Sequence, residues 1–252
     1  MVGPAVSAAT AESALRSPGA HARFWLVAIL GLTLDLWSKH RAFSSLGQGG
    51  QQVVIPRLLE FQIMLNPGAL FGIGHGMTSL FLVASVLALA LVLWMFAASS
   101  PRRWVAQIAL GGILAGAIGN MYDRAFVRLV PNNFATARGM ERRYYEREPR
   151  ADGSVTLYQY PREYSGLKRV LSKPQAEKLE PEYGYVRDFI KIPTKLYGEQ
   201  DLWPWVFNVA DMLLVGGVGL LVLHLWSERK PGKDAVAATT DAPPVDNPLP
   251  QE

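Results

Sequence analysis

Two long uncharged stretches constrain this chain more than any other feature. Residues 77–98 and 104–122 carry no Asp, Glu, Lys or Arg over 22 and 19 positions, each near the roughly 20 residues an α-helix needs to cross hydrocarbon. Residues 24–43 and 202–226 are also long and apolar, but each holds an aspartate inside the run, Asp35 and Asp211. A carboxylate within a span costs roughly 3 kcal/mol on insertion scales, so it turns to a cavity or a partner and marks function. The pattern predicts a mainly α membrane protein with four transmembrane helices, over about 24–43, 77–98, 104–126 and 204–226.

Composition narrows the chemistry. The net charge of +4 is modest, and no basic stripe with interleaved aromatics points to nucleic acid. With no cysteine and only four scattered histidines, thiolate nucleophiles are excluded and no metal site or other cofactor is expected. Chemistry in such a chain rests on carboxylates.

Basic residues set the expected topology. Arg102 and Arg103 lie between the second and third runs, Arg229, Lys230 and Lys233 follow the fourth, and Arg16 and Arg23 precede the first. Short basic flanks stay cytoplasmic, so both termini are expected inside and the two longer connections outside. The first, about 43–76, has strand-like Val, Ile and Phe over 52–63 and Gly- and Pro-rich turns after it, a small β-rich segment. The second, about 127–203, is polar and tyrosine-rich over 135–185 and reads as a solvated insertion or small subdomain with no strong periodicity. It is expected to be dispensable for chemistry and to bear on substrate access. Residues 1–22 and 227–252, rich in Ala, Ser, Gly or Pro, are expected to be disordered. Asp35 interrupts the first run and argues against a cleaved signal peptide there.

This topology brings four carboxylates to the outer boundary. Span three runs outward and places Asp123 near its outer end; span four runs inward from near Asp211; Asp35 lies in the outer half of span one, and Asp188 just precedes span four. Two carboxylates held close cannot both ionise cheaply, so one keeps a proton while the other remains a base. Spacing alone suggests Asp123 with Asp211. Asp35 and Lys39, four apart, form a structural ion pair on one helix face. Asn66, Asn120 and Asn208 are placed to hold substrate backbone or steady the carboxylates, or else to satisfy buried groups. Arg124 offers a planar donor fork to carbonyl or phosphate-like oxygens, or pairs with its neighbour Asp123. Gly111, Gly112, Gly116 and Gly119 allow close helix packing.

Five segments carry a family resemblance. Asp35-Leu36-Trp37-Ser38-Lys39, Asn66-Pro67-Gly68-Ala69-Leu70-Phe71-Gly72, Gly119-Asn120-Met121-Tyr122-Asp123-Arg124, Val186-Arg187-Asp188-Phe189-Ile190 and Phe207-Asn208-Val209-Ala210-Asp211 resemble, in order, the signature blocks of lipoprotein signal peptidases (signal peptidase II, aspartic peptidase family A8). The resemblance covers about residues 24–134 and 185–226. It implies an inner-membrane aspartic endopeptidase of bacteria, with its active site on the extracytoplasmic face. Its substrates would be prolipoproteins, cut before a diacylglyceryl-modified cysteine among membrane lipids. It also implies a catalytic pair of Asp188 and Asp211, with Asp123 as a supporting or alternative carboxylate, and Asn66, Gly68, Asn120, Arg124 and Asn208 at the substrate. A monomer is expected. The 65 positions between Asp123 and Asp188 depart from the family, in which these blocks adjoin; the extra segment reads as an insertion that splits them. Two rival readings are a proton-coupled transporter, which would place its carboxylates near mid-membrane, and an inactive family member acting as an interaction protein.

Overall fold

The computed structural model describes residues 13–68, 78–136, 139–195 and 201–228. Helix α1 (Pro18–Leu46) starts where Ser17 caps the amide of Ala20, with Pro18 in the first turn, and it stops at Gly47, whose φ of 64° is open to glycine. Helices α2 (Thr78–Ala98) and α3 (Trp104–Phe126) form an antiparallel pair, and α6 (Val209–Glu228) closes the bundle. By length and composition α1, α3 and α6 can each cross a membrane, and α2 contributes the apolar stretch Leu82–Ala98. Leu26, Ile29, Leu30, Leu87, Leu91, Val215 and Leu223 all point outward. Such a surface suits lipid, where backbone groups must be satisfied within each helix.

Helix α3 is central because it is narrow. A Cβ on Gly111 would sit 2.6 Å from the carbonyl oxygen of Phe24 in α1, and one on Gly116 would sit 2.4 Å from that of Ala210 in α6. These glycines let three helix backbones approach closely, which is how helices gain packing where lipid offers no hydrophobic drive. Gly116→Ala is therefore expected to destabilise the fold by about 1–3 kcal/mol, as overpacking does. The measurement is the unfolding midpoint in detergent; a midpoint equal to that of the unsubstituted protein would show that α6 gives way freely.

The helices are accompanied by two antiparallel sheets, more β structure than the small segment expected from sequence. Strands β1 (Gln51–Ile55), β2 (Leu59–Asn66), β8 (Val186–Lys195) and β9 (Asp201–Phe207) form the first, in the order β1-β2-β8-β9. The register sets Asn66 opposite Val186, Leu65 opposite Arg187 and Met64 opposite Asp188. The second sheet is made by the insertion together with the strand that leads into it. Its strands are β3 (Arg128–Thr136), β4 (Gly139–Pro149), β5 (Val155–Gln159), β6 (Lys168–Leu171) and β7 (Tyr183–Gly184), in the order β6-β5-β4-β3-β7, with short helices α4 (Arg162–Ser165) and α5 (Lys173–Ala176) between them. It has its own small core of Tyr145, Val155, Leu157, Leu171 and Ala176. A second cluster, built on Phe43, Ile63, Leu65, Leu129, Tyr185 and Phe189, joins it to the first sheet and to the end of α1.

Several sequence expectations need correction. Residues 1–22 were expected as a disordered tail, but from Ser13 the chain is ordered: a 3-10 turn over Ala14–Arg16 leads into α1, Ser13 Oγ donates to the Ala97 carbonyl at 2.6 Å, and the Ala14 amide to that of Ser99 at 2.9 Å. Residues 1–12 and the tail beyond 228 lie outside the described residues. The fourth span begins at Val209 and not near residue 204, because Asn208 caps the helix and the preceding residues, Pro204 among them, lie in the edge strand β9.

Candidate functional site

The end of the bundle that faces the sheets is where the polar residues of the five motifs meet. Its anchor is the start of α6. The Asn208 side-chain oxygen accepts from the Asp211 amide at 3.0 Å, and the Asp211 carboxylate accepts from the Asn208 amide at 3.1 Å. This reciprocal cap satisfies two orphan donors and fixes both side chains. It explains locally why an Asn three residues before an Asp marks this turn. Another early amide, that of Ala210, donates to Asp35 Oδ1 of α1 at 2.8 Å, so Asp35 caps α6 from a neighbouring helix.

Asp35 and Lys39 do pair, at 2.8 Å, and both are fully buried. The ammonium has further partners: Asp123 at 3.2 Å and Asn120 Oδ1 at 3.1 Å. One cation thus neutralises two carboxylates from two helices, the arrangement a buried charge requires.

Asp123, also fully buried, is gripped by Arg187 of β8. Its Oδ1 accepts from Arg187 Nε and Nη2 at 3.0 and 2.7 Å, and its Oδ2 accepts from the Arg187 backbone amide at 3.0 Å. The cation that grips Asp123 through both its side chain and its backbone thus stands 64 residues further on. Arg124 donates to the carbonyls of Gly68 at 3.1 Å and Asn120 at 3.4 Å.

Asp188 lies on β8 directly after this grip and is 1% exposed. Asn208 Nδ2 donates to its Oδ1 at 2.6 Å and Asn66 Nδ2 to its Oδ2 at 3.1 Å. Asn208 Nδ2 also reaches Asn120 Oδ1 at 3.2 Å, and Asn120 Nδ2 donates to Asp211 Oδ1 at 2.8 Å. Burial, and after it the Asp211 carboxylate nearby, push Asp188 up to about 8, against the two amides that favour its charged form. At neutral pH Asp188 holds a proton beside a second carboxylic side chain.

Of the residues singled out from sequence, Asn66, Gly68, Asn120, Arg124, Asp188, Asn208 and Asp211 share this one network, with Asp35, Lys39 and Asp123 beneath it. Gly68 is engaged through its backbone, its N–H on Asn66 Oδ1 at 3.0 Å and its carbonyl on Arg124. Residues 69–72, part of the second motif, lie outside the described residues. Among the described residues no group of His, Cys, Asp and Glu is placed to hold a metal ion. Arg187 was missed as an individual residue. The signal available for it was a cation adjoining an intramembrane-boundary carboxylate.

The family model of signal peptidase II (Peptidase_A8) matches residues 27–227. A lipoprotein signal peptidase of Desulfitobacterium hafniense is 27% identical over 212 residues, 81% of this chain and 98% of that protein. One from Pseudomonas fluorescens is 34% identical over 150 residues, 56% of this chain and 87% of that protein. One from Rhodopirellula baltica is 40% identical over 108 residues, and there the match spans about half of the relative, 48%. In fold, a bacterial membrane enzyme solved by the in meso method at 2.3 Å resolution superposes with a TM-score of 0.53 at 21% identity, covering 83% of this chain and 90% of that chain.

Proposed function

The chain belongs to the signal peptidase II family, and from that premise we propose an aspartic endopeptidase in which Asp188 and Asp211 cleave prolipoproteins before a diacylglyceryl-modified cysteine. Membership makes it a bacterial membrane peptidase that removes signal peptides from prolipoproteins. The observation that carries the pairing is Asn208, whose backbone amide donates to Asp211 and whose side chain donates to Asp188. Asp123 is engaged elsewhere, because the Lys39 ammonium and the Arg187 guanidinium occupy its oxygens.

The chemistry follows from the proton inventory. Asp211, as the base, takes a proton from a water whose oxygen attacks the carbonyl carbon preceding the cysteine. Asp188 gives its proton to the carbonyl oxygen, so a neutral gem-diol forms. Collapse breaks the C–N bond: Asp211 returns its proton to the leaving nitrogen, and Asp188 recovers one from the diol hydroxyl. Asn66, Asn120 and Asn208 hold the two carboxylates in register. Arg124 and the Gly68 backbone border the place where substrate would lie.

For topology we favour four spans in the inner membrane, with α2 as the second, both termini cytoplasmic, the dyad at the outer boundary, and a monomer in contact with lipid. Arg16, Arg23, Arg102 and Arg103 lie at the bundle end remote from the dyad, where Arg23 donates to Gln107 at 2.7 Å and to the Pro101 carbonyl at 3.0 Å. A basic end of this kind is the cytoplasmic one. The transporter alternative calls for carboxylates at mid-span. Asp211 is instead in the first turn of α6 and Asp123 in the last turn of α3.

The test is purified protein in lipid nanodiscs given one prolipoprotein with and without its diacylglyceryl group. Cleavage of the lipidated form alone, with the modified cysteine as the new N-terminus, is expected; cleavage elsewhere, or none, would overturn the reading. pH supplies a second check. Asp188 must carry its proton to act, and its pKa stands near 8, so kcat should be sustained below pH 8 and fall as pH rises through it. The Asn66 amide favours the charged form of Asp188. Asn66→Ala should therefore raise that pKa further and move the alkaline limb to higher pH, in a profile of kcat against pH. A limb that moves down would mean that Asn66 acts some other way.

A further inference from the structure

The sheet that carries Asp188 has two edges, and each is joined to a membrane helix. Strand β1 begins at Gln51, just past the turn in which the Gly50 amide donates to the Gly47 carbonyl at the end of α1, and β9 runs through Asn208 into α6. Both edges therefore stand at the level where these spans leave the membrane. On β9 that level is occupied by Trp203 and Trp205, 43% and 40% exposed with rings 5.1 Å apart, side chains that membrane interfaces favour.

The β1 edge has no aromatic residue, yet it is apolar and open. Every residue over 51–58 is exposed, with Val53, Val54, Ile55 and Leu58 at 44–58%. Its register with β2 breaks between Val53 and Ile55, the kind of irregularity that re-aims side chains at a sheet edge. The turn that follows is held in place: the Leu58 amide donates to the Ile55 carbonyl at 3.1 Å, and Thr194 Oγ1 of β8 donates to the Arg57 carbonyl at 2.6 Å. Arg57 has a φ of 65°, at a turn position that usually goes to glycine. The tip thus presents four apolar side chains and one guanidinium on a backbone fastened to the strand that bears Asp188. Water is a poor medium for such an edge, which would pair with any strand it met.

We propose that this tip anchors the sheet in the phospholipid leaflet at the dyad's end of the bundle: Val53, Val54, Ile55 and Leu58 reach the acyl boundary, and Arg57 meets lipid phosphates. The unpaired N–H and C=O groups of an edge strand exclude it from hydrocarbon. The β1 backbone therefore stays among the headgroups, which satisfy those groups, and only its side chains go deeper, as in other interfacial elements. Gln51 and Gln52 at one end and Arg57 at the other suit that depth, and a planar guanidinium matches phosphate oxygens. Lipid is the occupant, and not a second copy of the chain, because the edge continues from α1, whose Leu30, Leu34 and Trp37 are exposed on the lipid-facing surface of the bundle. With the tip seated, Asn66 and Asp188 on the same sheet are held where a diacylglyceryl chain meets water. That consequence, unlike the anchor, rests on the dyad reading above.

The chain has no cysteine, so Val54→Cys, Leu58→Cys and, at the exposed turn between β4 and β5, Ala151→Cys each take one environment-sensitive fluorophore in the full-length protein. In phosphatidylcholine nanodiscs, brominated acyl chains are expected to quench the labels at 54 and 58 about two- to threefold, while iodide in the buffer quenches the label at 151 and spares them. Arg57→Glu added to Leu58→Cys should lower the lipid quenching by about half, since a carboxylate loses the attraction to headgroup phosphates. Labels at 54 and 58 that iodide quenches and brominated chains do not would overturn the proposal. So would ready disulfide cross-linking of Val54→Cys between two copies, which would give the edge to a second chain. Lipid quenching indifferent to Arg57→Glu would strike the phosphate contact. In steady-state cleavage of a lipidated prolipoprotein, Val54→Asp combined with Leu58→Asp is expected to raise KM about tenfold with the unfolding midpoint unchanged. An unchanged KM beside lipid-quenched labels would keep the anchor and remove its bearing on substrate. Asp211→Asn is run alongside and should leave the quenching as it is; wild-type cleavage by that variant would remove the dyad reading and not the anchor.

Discussion

Asp211→Asn is expected to slow prolipoprotein cleavage by about a thousandfold or more, and Asp188→Asn by a similar factor, the scale on which a positioned general acid or base contributes. Asparagine keeps the shape but can neither take the water's proton nor return it. The two losses should not multiply, because residues that act as one unit fail together; the double variant should be about as slow as either single one. Single-turnover cleavage of a lipidated precursor, read as loss of the signal peptide on a gel, measures all three. Full processing by Asp188→Asn with loss in Asp123→Asn would exchange the roles of the two carboxylates. Asp211→Asn and Asp188→Asn should both remain inserted, since the networks beneath them are intact.

Lys39→Met leaves Asp188 and Asp211 in the chain and yet should cost the fold about 3–5 kcal/mol, the usual penalty for removing one partner of a buried ion pair. Methionine fills most of the volume, so the loss is electrostatic. Asp35 and Asp123 would face each other, fully buried, without the ammonium now 2.8 and 3.2 Å from them. Asp35 also caps α6, so weakening it loosens the turn that bears Asp211. The comparison variant is Arg103→Met, which breaks the Arg103–Glu228 pair at 2.9 Å, where both side chains are a third or more exposed. Exposed pairs contribute about 0–1 kcal/mol. Chemical unfolding in mild detergent separates the two; equal midpoints would mean that the Lys39 cluster is solvated.

The separation between what could be read in the chain and what could not runs along particular residues. The uncharged run 104–122 predicted α3 almost to its ends, because lipid demands an unbroken apolar helix of a set length and tolerates few alternatives. The start of α6 was placed too early, since an apolar strand and an apolar span look alike until the capping pair Asn208 and Asp211 is weighed. The insertion showed no period, yet four of the five strands of the second sheet lie within it. Its core residues, Tyr145, Val155, Leu157, Leu171 and Ala176, stand among charges that salt-bridge on its surface, as Arg142 does with Glu180 at 2.9 Å, so a simple alternation is masked.

For the site, the sequence by itself determined which residues are expensive to bury: Asp35, Lys39, Asp123, Asp188 and Asp211 have no reason to stand in or beside apolar runs except one another. That is a statement about cost, and cost is legible one residue at a time. Which of them cations would grip and which amides would hold is a statement about distance. Only the tertiary structure decided it, by bringing Arg187 across 64 positions to saturate Asp123 and by setting Asn208 between Asp188 and Asp211. Charge interactions fall off over a few ångströms, and no spacing along a chain interrupted by a second sheet specifies ångströms.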